Sequence, residues 1–215
     1  MEQLLQEELN PEGFRLIREK AEYNALVLHK EDVENPIFRV DMLLDKVSPK
    51  QIYEVLKDQA AVQTWFGKNL QSRVIPTNLQ GLQGLEPNEK VYSTVHKGGV
   101  FPLKNREIIH RHLLQADDEK QTYIVSFTTL GLENIPSKQK SKYARAFHGL
   151  CGLVIRGGLF SAEKPLEAVG SKVFFISQME FAGQYVPVAD QVKAVPQFML
   201  EFVERLIDRA QKVKI

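Results

Sequence analysis

The chain alternates short runs of two-residue periodicity with a few stretches of helical spacing, and the longest helical stretch comes last. Near the start, Leu4, Leu5 and Leu9 share one side of a short helix that Asn10-Pro11 ends. Residues 14–28 read as two short strands, with apolar alternation at Phe14/Leu16 and Leu26/Leu28. Residues 37–44 read as a third, apolar at Phe38, Val40 and Met42 and polar at Arg39 and Asp41. The run Ser48-Pro-Lys-Gln51 predicts a helix start. Ser48 caps it, Pro49 suits the first helical position, and Gln51 completes a capping box. Ile52, Val55 and Leu56 form that helix's buried side, and a second helix over 60–69 turns Val62, Trp65 and Phe66 inward.

The middle of the chain is mostly strand, at 72–76, 90–95, 106–114 and 121–129, with turns at 81–84 and 116–120. A long polar loop follows at 130–142, with Gly131, Pro136 and three lysines. Strands at 144–156 and 172–180 flank a loop at 157–170. The final helix sets Val192, Val195, Met199, Phe202, Leu206 and Ala210 on one side. Lys193, Gln197, Glu201, Glu204, Asp208 and Gln211 take the other, and Pro196 predicts a kink or a fresh start. The sum is a single α+β domain over 1–215, a curved antiparallel β-sheet wrapped around a long C-terminal α-helix. Such a sheet must hide one apolar face, and the space beneath the helix is either a packed core or a cavity. Periodicity does not distinguish them; on pattern alone a packed core is expected, because interiors fill densely.

Composition narrows the function classes. With 28 basic and 27 acidic residues the net charge is +1, so nucleic acid is not an expected partner. A local lysine patch still permits transient contact with a membrane surface. The single cysteine, Cys151, forms no internal disulfide. The acidic N-terminus is not a signal peptide, and no window approaches 18 uncharged apolar residues. Glu2 stands where myristoylation needs glycine, and the C-terminus lacks a cysteine for prenylation. The expectation is a cytoplasmic monomer.

Strand alternation places Ile108, His110 and His112 on one face, with Ile109 and Arg111 on the other. Two such histidines, with His148 and Cys151, raise the question of a metal. Paired cysteine spacing and a nearby acidic ligand are absent, so neither metal nor cofactor is expected. Histidines that hydrogen-bond a ligand headgroup or another buried side chain fit better. Cys151 with His148 also suggests a nucleophile and base, but a spacing of three on a strand points them to opposite faces unless a bulge intervenes. A small buried cysteine is the expected reading, and no catalytic residue is assigned.

Several motifs occur in one order: Phe101-Pro-Leu-Lys-Asn-Arg-Glu-Ile-Ile109, Tyr143-Ala-Arg-Ala146 with Gly149, Gly170-Ser-Lys-Val-Phe-Phe175, Gly183, Pro187 and the amphipathic tail. From about Phe38 to the C-terminus this set resembles the START (StAR-related lipid-transfer) domain, a helix-grip fold. The resemblance implies an interior kept open as an apolar cavity for one lipid, with the helix at 189–212 and the loop at 130–142 as its lid. Lys138, Lys140 and Lys142 would rest on anionic headgroups, each worth about 1 kcal/mol near a charged surface. Arg106 and Glu107 match the family's Arg-Asp pair, and Arg145 matches a family arginine; all three have a structural role by this reading. The implied cavity residues are Val62, Phe66, Ser93, Val95, Ile108, His110, His112, Val125, Phe127 and His148. Phe198, Met199 and Phe202 would close the lid.

The phosphatidylcholine-transfer branch holds phosphate with an arginine and an acidic partner, where this chain has Val62 and Phe66. Its choline-facing aromatics fall on Ser93, Ile108 and Gly149, so that cargo is disfavoured. The sterol branch's buried acid–arginine pair falls on Ser93 and His112, a hydroxyl and a titratable ring, which leaves a sterol or another mostly apolar ligand open. The implied function is to bind a single lipid or other hydrophobic ligand and transfer it between membranes. A cavity enzyme of cyclase or hydrolase type, or a ligand sensor, is the alternative.

Overall fold

A computed structural model describes residues 1–10, 12–30, 35–66, 69–76, 85, 88–97, 105–132, 135, 143–157, 170–180 and 186–215. The elements run α1 (Glu2–Leu9), β1 (Arg15–Lys20), β2 (Ala25–Lys30), β3 (Ile37–Leu44), α2 (Pro49–Leu56) and α3 (Val62–Trp65). Then follow β4 (Asn69–Val74), β5 (Glu89–His96), β6 (Arg106–Asp117), β7 (Thr122–Thr128), β8 (Ala144–Arg145), β9 (Phe147–Arg156), β10 (Ser171–Glu180) and α4 (Val188–Ala210). Nine strands form one open antiparallel sheet in the order β1-β2-β3-β10-β9-β7-β6-β5-β4, and β8 pairs in parallel with β6. Among the described residues no helix is long and apolar enough to cross a membrane.

Period-two alternation divides the sheet into two faces. On the inner face, Val40, Phe175, Leu153, Val125 and Leu114 stand in register across five strands. They pack with α2 and with Val195, Met199, Leu200, Val203, Leu206 and Ile207 of α4 into the main core. The outer face is covered in part by α1, whose Leu4 packs with Ile124, Val154, Phe174 and Ile176. A third cluster on that face joins Val91, Ile109, Ile75, Leu132 and Ile135. Two residues of the predicted polar loop, Leu132 and Ile135, are thus buried.

Local chemistry explains the helix starts and ends. Ser48 Oγ accepts from Gln51 N–H, while the Gln51 side chain accepts from Ser48 N–H, so the capping box forms as expected. α4 runs without a fresh start through the buried Pro196. The second predicted helix shrinks to one turn, α3, because the chain enters β4 by Asn69. β2 takes the opposite phase from the one its leucines suggest. Register with β3 (Val27 opposite Val40, His29 opposite Phe38) turns Ala25, Val27 and His29 inward and leaves Leu26 outward. Arg39 is buried rather than solvated. It bridges Asp41 at 2.9 Å, lies 4.6 Å from the Phe174 ring and donates to the Glu7 carbonyl under α1.

The turn at 81–84, most of the loop at 157–170, the motif residues 101–104, Gly183 and Lys138, Lys140 and Lys142 lie outside the described residues.

Candidate functional site

Beyond the main core, the inner face toward β5 and β6 changes from aliphatic to aromatic and imidazole side chains. Here a pocket of about 60 Å³ lies between the sheet, α3 and the middle of α4. Gln59, Val62 and Phe66 reach it from α2–α3 and its flanks, and Phe198 and Phe202 from α4. The strands supply His96, His110, Phe127, His148, Cys151, Phe175, Ser177 and Met179. None of these residues carries a formal charge when the imidazoles are neutral.

Aromatic contacts hold the helical side shut. Phe66 meets Phe198 and Phe202 edge-on at 5.2 Å each, and Phe202 also meets Trp65 at 5.6 Å and Phe175 at 5.5 Å. Such pairs prefer these edge and tilted arrangements because ring edges are positive and ring faces negative. On the sheet side, His110 lies 5.6 Å from both Phe127 and His148, and His96 meets Phe198 edge-on at 5.9 Å. His112 stacks on Phe127 at 5.1 Å, one row away from the pocket.

Burial sets the protonation of this group. It depresses the imidazoles of His96 and His112 to about 4 and that of His148 to about 3, and it drives His110 well below the usual histidine range. Charge on His148, His112 and His96 adds to the effect on His110, and Lys90 adds to that on His112. All four rings are therefore neutral near pH 7. Both nitrogens of His110 and of His112, and Nδ1 of His96 and of His148, are buried without a hydrogen-bond partner. A buried polar group left unpaired costs about 1–3 kcal/mol, so these nitrogens favour any polar group brought to them.

The bulge that would bring Cys151 and His148 to one face is present. In β9, Cys151 stands opposite Ser177 and His148 opposite Met179, so three residue steps on β9 match two on β10. The Gln178 carboxamide oxygen accepts from Leu150 N–H inside the bulge. Both side chains consequently line the pocket. Burial raises the thiol to about 12 and lowers His148 to about 3, so thiolate and imidazolium are both disfavoured and the pair is not an activated nucleophile. Among the described residues no three His, Cys, Asp or Glu are arranged to hold a metal.

Of the residues named from sequence, Val62, Phe66, His110, Phe127, His148, Phe198 and Phe202 come together around the pocket. Ile108, His112, Val125 and Met199 are buried but do not line it. Ser93 and Val95 correct the reading of β5. Tyr92 is opposite His110 and Thr94 opposite Ile108, so the even positions of β5 face inward and Ser93 and Val95 face outward. Ser93 Oγ there donates to Glu107 Oε1 at 2.8 Å, and Arg73 lies 3.8 Å from the same carboxylate. Glu107 is paired with Arg145 of β8, whose Nη2 donates to the Leu132 carbonyl at 3.4 Å. Arg106 starts β6 in register with His96 and is not part of the pocket lining.

Sequence reasoning missed Gln59, His96, Phe175, Ser177 and Met179. For His96 the signal was available, since it continues the Tyr92, Thr94 alternation. Phe175, Ser177 and Met179 likewise continue the inward odd positions of β10.

The sequence model of the START domain matches residues 14–214. No curated protein matches the sequence. Among solved structures, human StAR-related lipid transfer protein 5 superposes with a TM-score of 0.78 at 17% identity, covering 98% of this chain and 92% of that one. Human STARD10 gives 0.70 at 17% identity, over 96% of this chain and 78% of that one. The lipid transfer and protein localization domain of human StarD13 gives 0.65 at 14% identity, over 98% and 96%. At these identities the likeness is one of fold.

Proposed function

This chain belongs to the START domain family, which binds lipids or other hydrophobic ligands, and we propose that it holds one such molecule beneath α4 and carries it between membranes. The observation that carries the reading is the uncharged, mainly aromatic pocket between α4 and the inner sheet face. Ligand pockets are concave, mostly apolar and furnished with a few polar groups, and this one fits that description. Its volume of about 60 Å³ is far below the several hundred Å³ that a lipid needs. Loading therefore requires the pocket to widen, and Phe198 and Phe202 make α4 the part that yields. In this reading α4 acts as the lid, the 130–142 loop with Lys138, Lys140 and Lys142 touches anionic membrane surfaces, and the protein acts as a cytoplasmic monomer. A cavity enzyme is disfavoured by the protonated thiol of Cys151 and by a family that is generally non-enzymatic.

The test is direct. The purified chain should release a single class of lipid on extraction, identified by mass spectrometry, and should speed the movement of that lipid between vesicles. A chain that co-purifies with no lipid and moves none of a panel of labelled lipids would refute the proposal.

A further inference from the structure

We propose that the polar end recognised in this pocket is a neutral hydroxyl, held between His110 and its neighbour His148. The inference rests on the ligand-binding reading above and specifies its chemistry. His110 is 1% exposed, lines the pocket, and has neither ring nitrogen hydrogen-bonded. A neutral imidazole has one N–H and one bare nitrogen, so His110 offers one donor and one acceptor together. Nδ1 of His148 and Nδ1 of His96 are buried and unpartnered as well, and the His148 ring centroid is 5.6 Å from that of His110. A hydroxyl donates once and accepts twice, so a single hydroxyl oxygen can satisfy a bare nitrogen and an N–H at one point.

Charge argues in the same direction. Among the described residues no lysine, arginine, aspartate or glutamate lines the pocket, so there a phosphate or carboxylate would meet no counter-charge and a quaternary amine no anion. Lys90 and Asp58 act on His112 one row away, and Arg106, buried at the start of β6 opposite His96, does not line the pocket. The remaining walls, Val62, Phe66, Phe127, Phe175, Phe198 and Phe202, suit a hydrocarbon body.

A matched set of twelve-carbon probes tests this on the full chain: dodecanol, dodecane, sodium dodecanoate and dodecylphosphocholine. Trp65 is the only tryptophan and touches Phe202, so its emission reports occupancy. At pH 7 dodecanol should bind at least about tenfold more tightly than each of the other three, one hydrogen-bonded group's worth of discrimination. In His110→Phe dodecanol should fall to the affinity of dodecane, with dodecane itself little changed. Equal binding of all four probes, or tighter binding of either charged-head probe, overturns the hydroxyl assignment and leaves the lipid-binding reading standing. If no probe, dodecane included, alters Trp65 emission, the lipid-binding reading fails too. Should His110→Phe not fold, ¹⁵N-histidine spectra of the unsubstituted chain decide. Dodecanol should shift the imidazole nitrogens in a way that dodecane does not, and identical spectra overturn the assignment.

Discussion

At the scale of single residues, the inner face is defined by side chains that belong chemically to neither core nor surface. His96, His110, His112 and His148 are all held below their unfolded value near 6.5, chiefly by desolvation. The sign follows from proton counting. Between about pH 4 and 6.5 the unfolded chain binds more protons than the folded one, so stability rises with pH across that window. The benefit is fully present above the unfolded value and is lost as pH falls through the folded ones. Among the described residues the groups facing His110 are Tyr92 on β5, His112 on its own strand, Phe127 on β7 and His148 on β9, with His96 acting on it through charge, and none of them is a carboxylate that would oppose the trend. Urea midpoints measured from pH 4 to 8 should therefore drop steeply below pH 6.5. Replacing His148 by phenylalanine should flatten the slope by about one proton, or roughly 1.4 kcal/mol per pH unit. An unchanged slope in the variant would mean that His148 is charged in the folded state. That His110 shares a face with Ile108 and His112 was legible from alternation, whereas the inward direction of that face came from the resemblance to the family. The placing of Ser93 and Val95 was not, because every residue from Val91 to Val95 is buried, so polarity gives no phase and only the pairing of Tyr92 with His110 fixes it.

Among elements, the least obvious dependence is that of α1 on a glycine far along the chain. Gly152 sits in β9 between Ser126 of β7 and Ile176 of β10, with its missing side chain facing α1. A Cβ there would lie 2.5 Å from the Val125 carbonyl oxygen and 2.9 Å from the Leu4 side chain. The backbone oxygen cannot give way as a flexible side-chain end could. Glu8 fixes the other end of α1 by a two-pronged pair with Arg156, at 2.8 and 2.7 Å. Gly152→Ala should therefore lower stability by about 1–3 kcal/mol, as overpacking does. Hydrogen exchange in α1 should quicken together with that in β7 and β9. Exchange confined to α1 would show that the helix simply lifts away and that the sheet absorbs the methyl group. The sequence showed α1 and its inner leucine, and it showed α2 down to its capping box, because those signals are local. It overstated α3 for the same reason. Val62, Trp65 and Phe66 have helical spacing, but the tertiary demand of β4's pairing with β5 ends the helix after one turn.

For the molecule as a whole, the question is how a ligand of several hundred Å³ reaches a space of about 60 Å³. α4 is held by aliphatic and by aromatic contacts. One side is set into the main core by Val195, Met199, Leu200, Val203, Leu206, Ile207 and Ala210, and the segment just beyond the helix accepts a hydrogen bond from Gln51 of α2 at the Val213 carbonyl. At the middle of the helix Phe198 and Phe202 also rest on rings, against Phe66, Trp65 and Phe175. Two polar ties to the edge strand β1 supplement them, Arg18 to Gln197 at 2.9 Å and Lys20 to Glu204. Both are partly exposed, and such ties contribute little on their own. If α4 is the lid proposed above, the ring cluster is the part of its packing that faces the pocket, and Phe202 is its hub. Phe202→Ala should cost about 2–3 kcal/mol, below the full range for a phenylalanine because the ring is only half-buried. It should also raise the rate of lipid transfer between vesicles several-fold while weakening equilibrium binding. Faster exchange with weaker binding is what a loosened lid gives, since the closed state is the one that gains the ring contacts. Weaker binding with an unchanged exchange rate would instead make Phe202 a wall of the site and move the entry route away from the middle of α4.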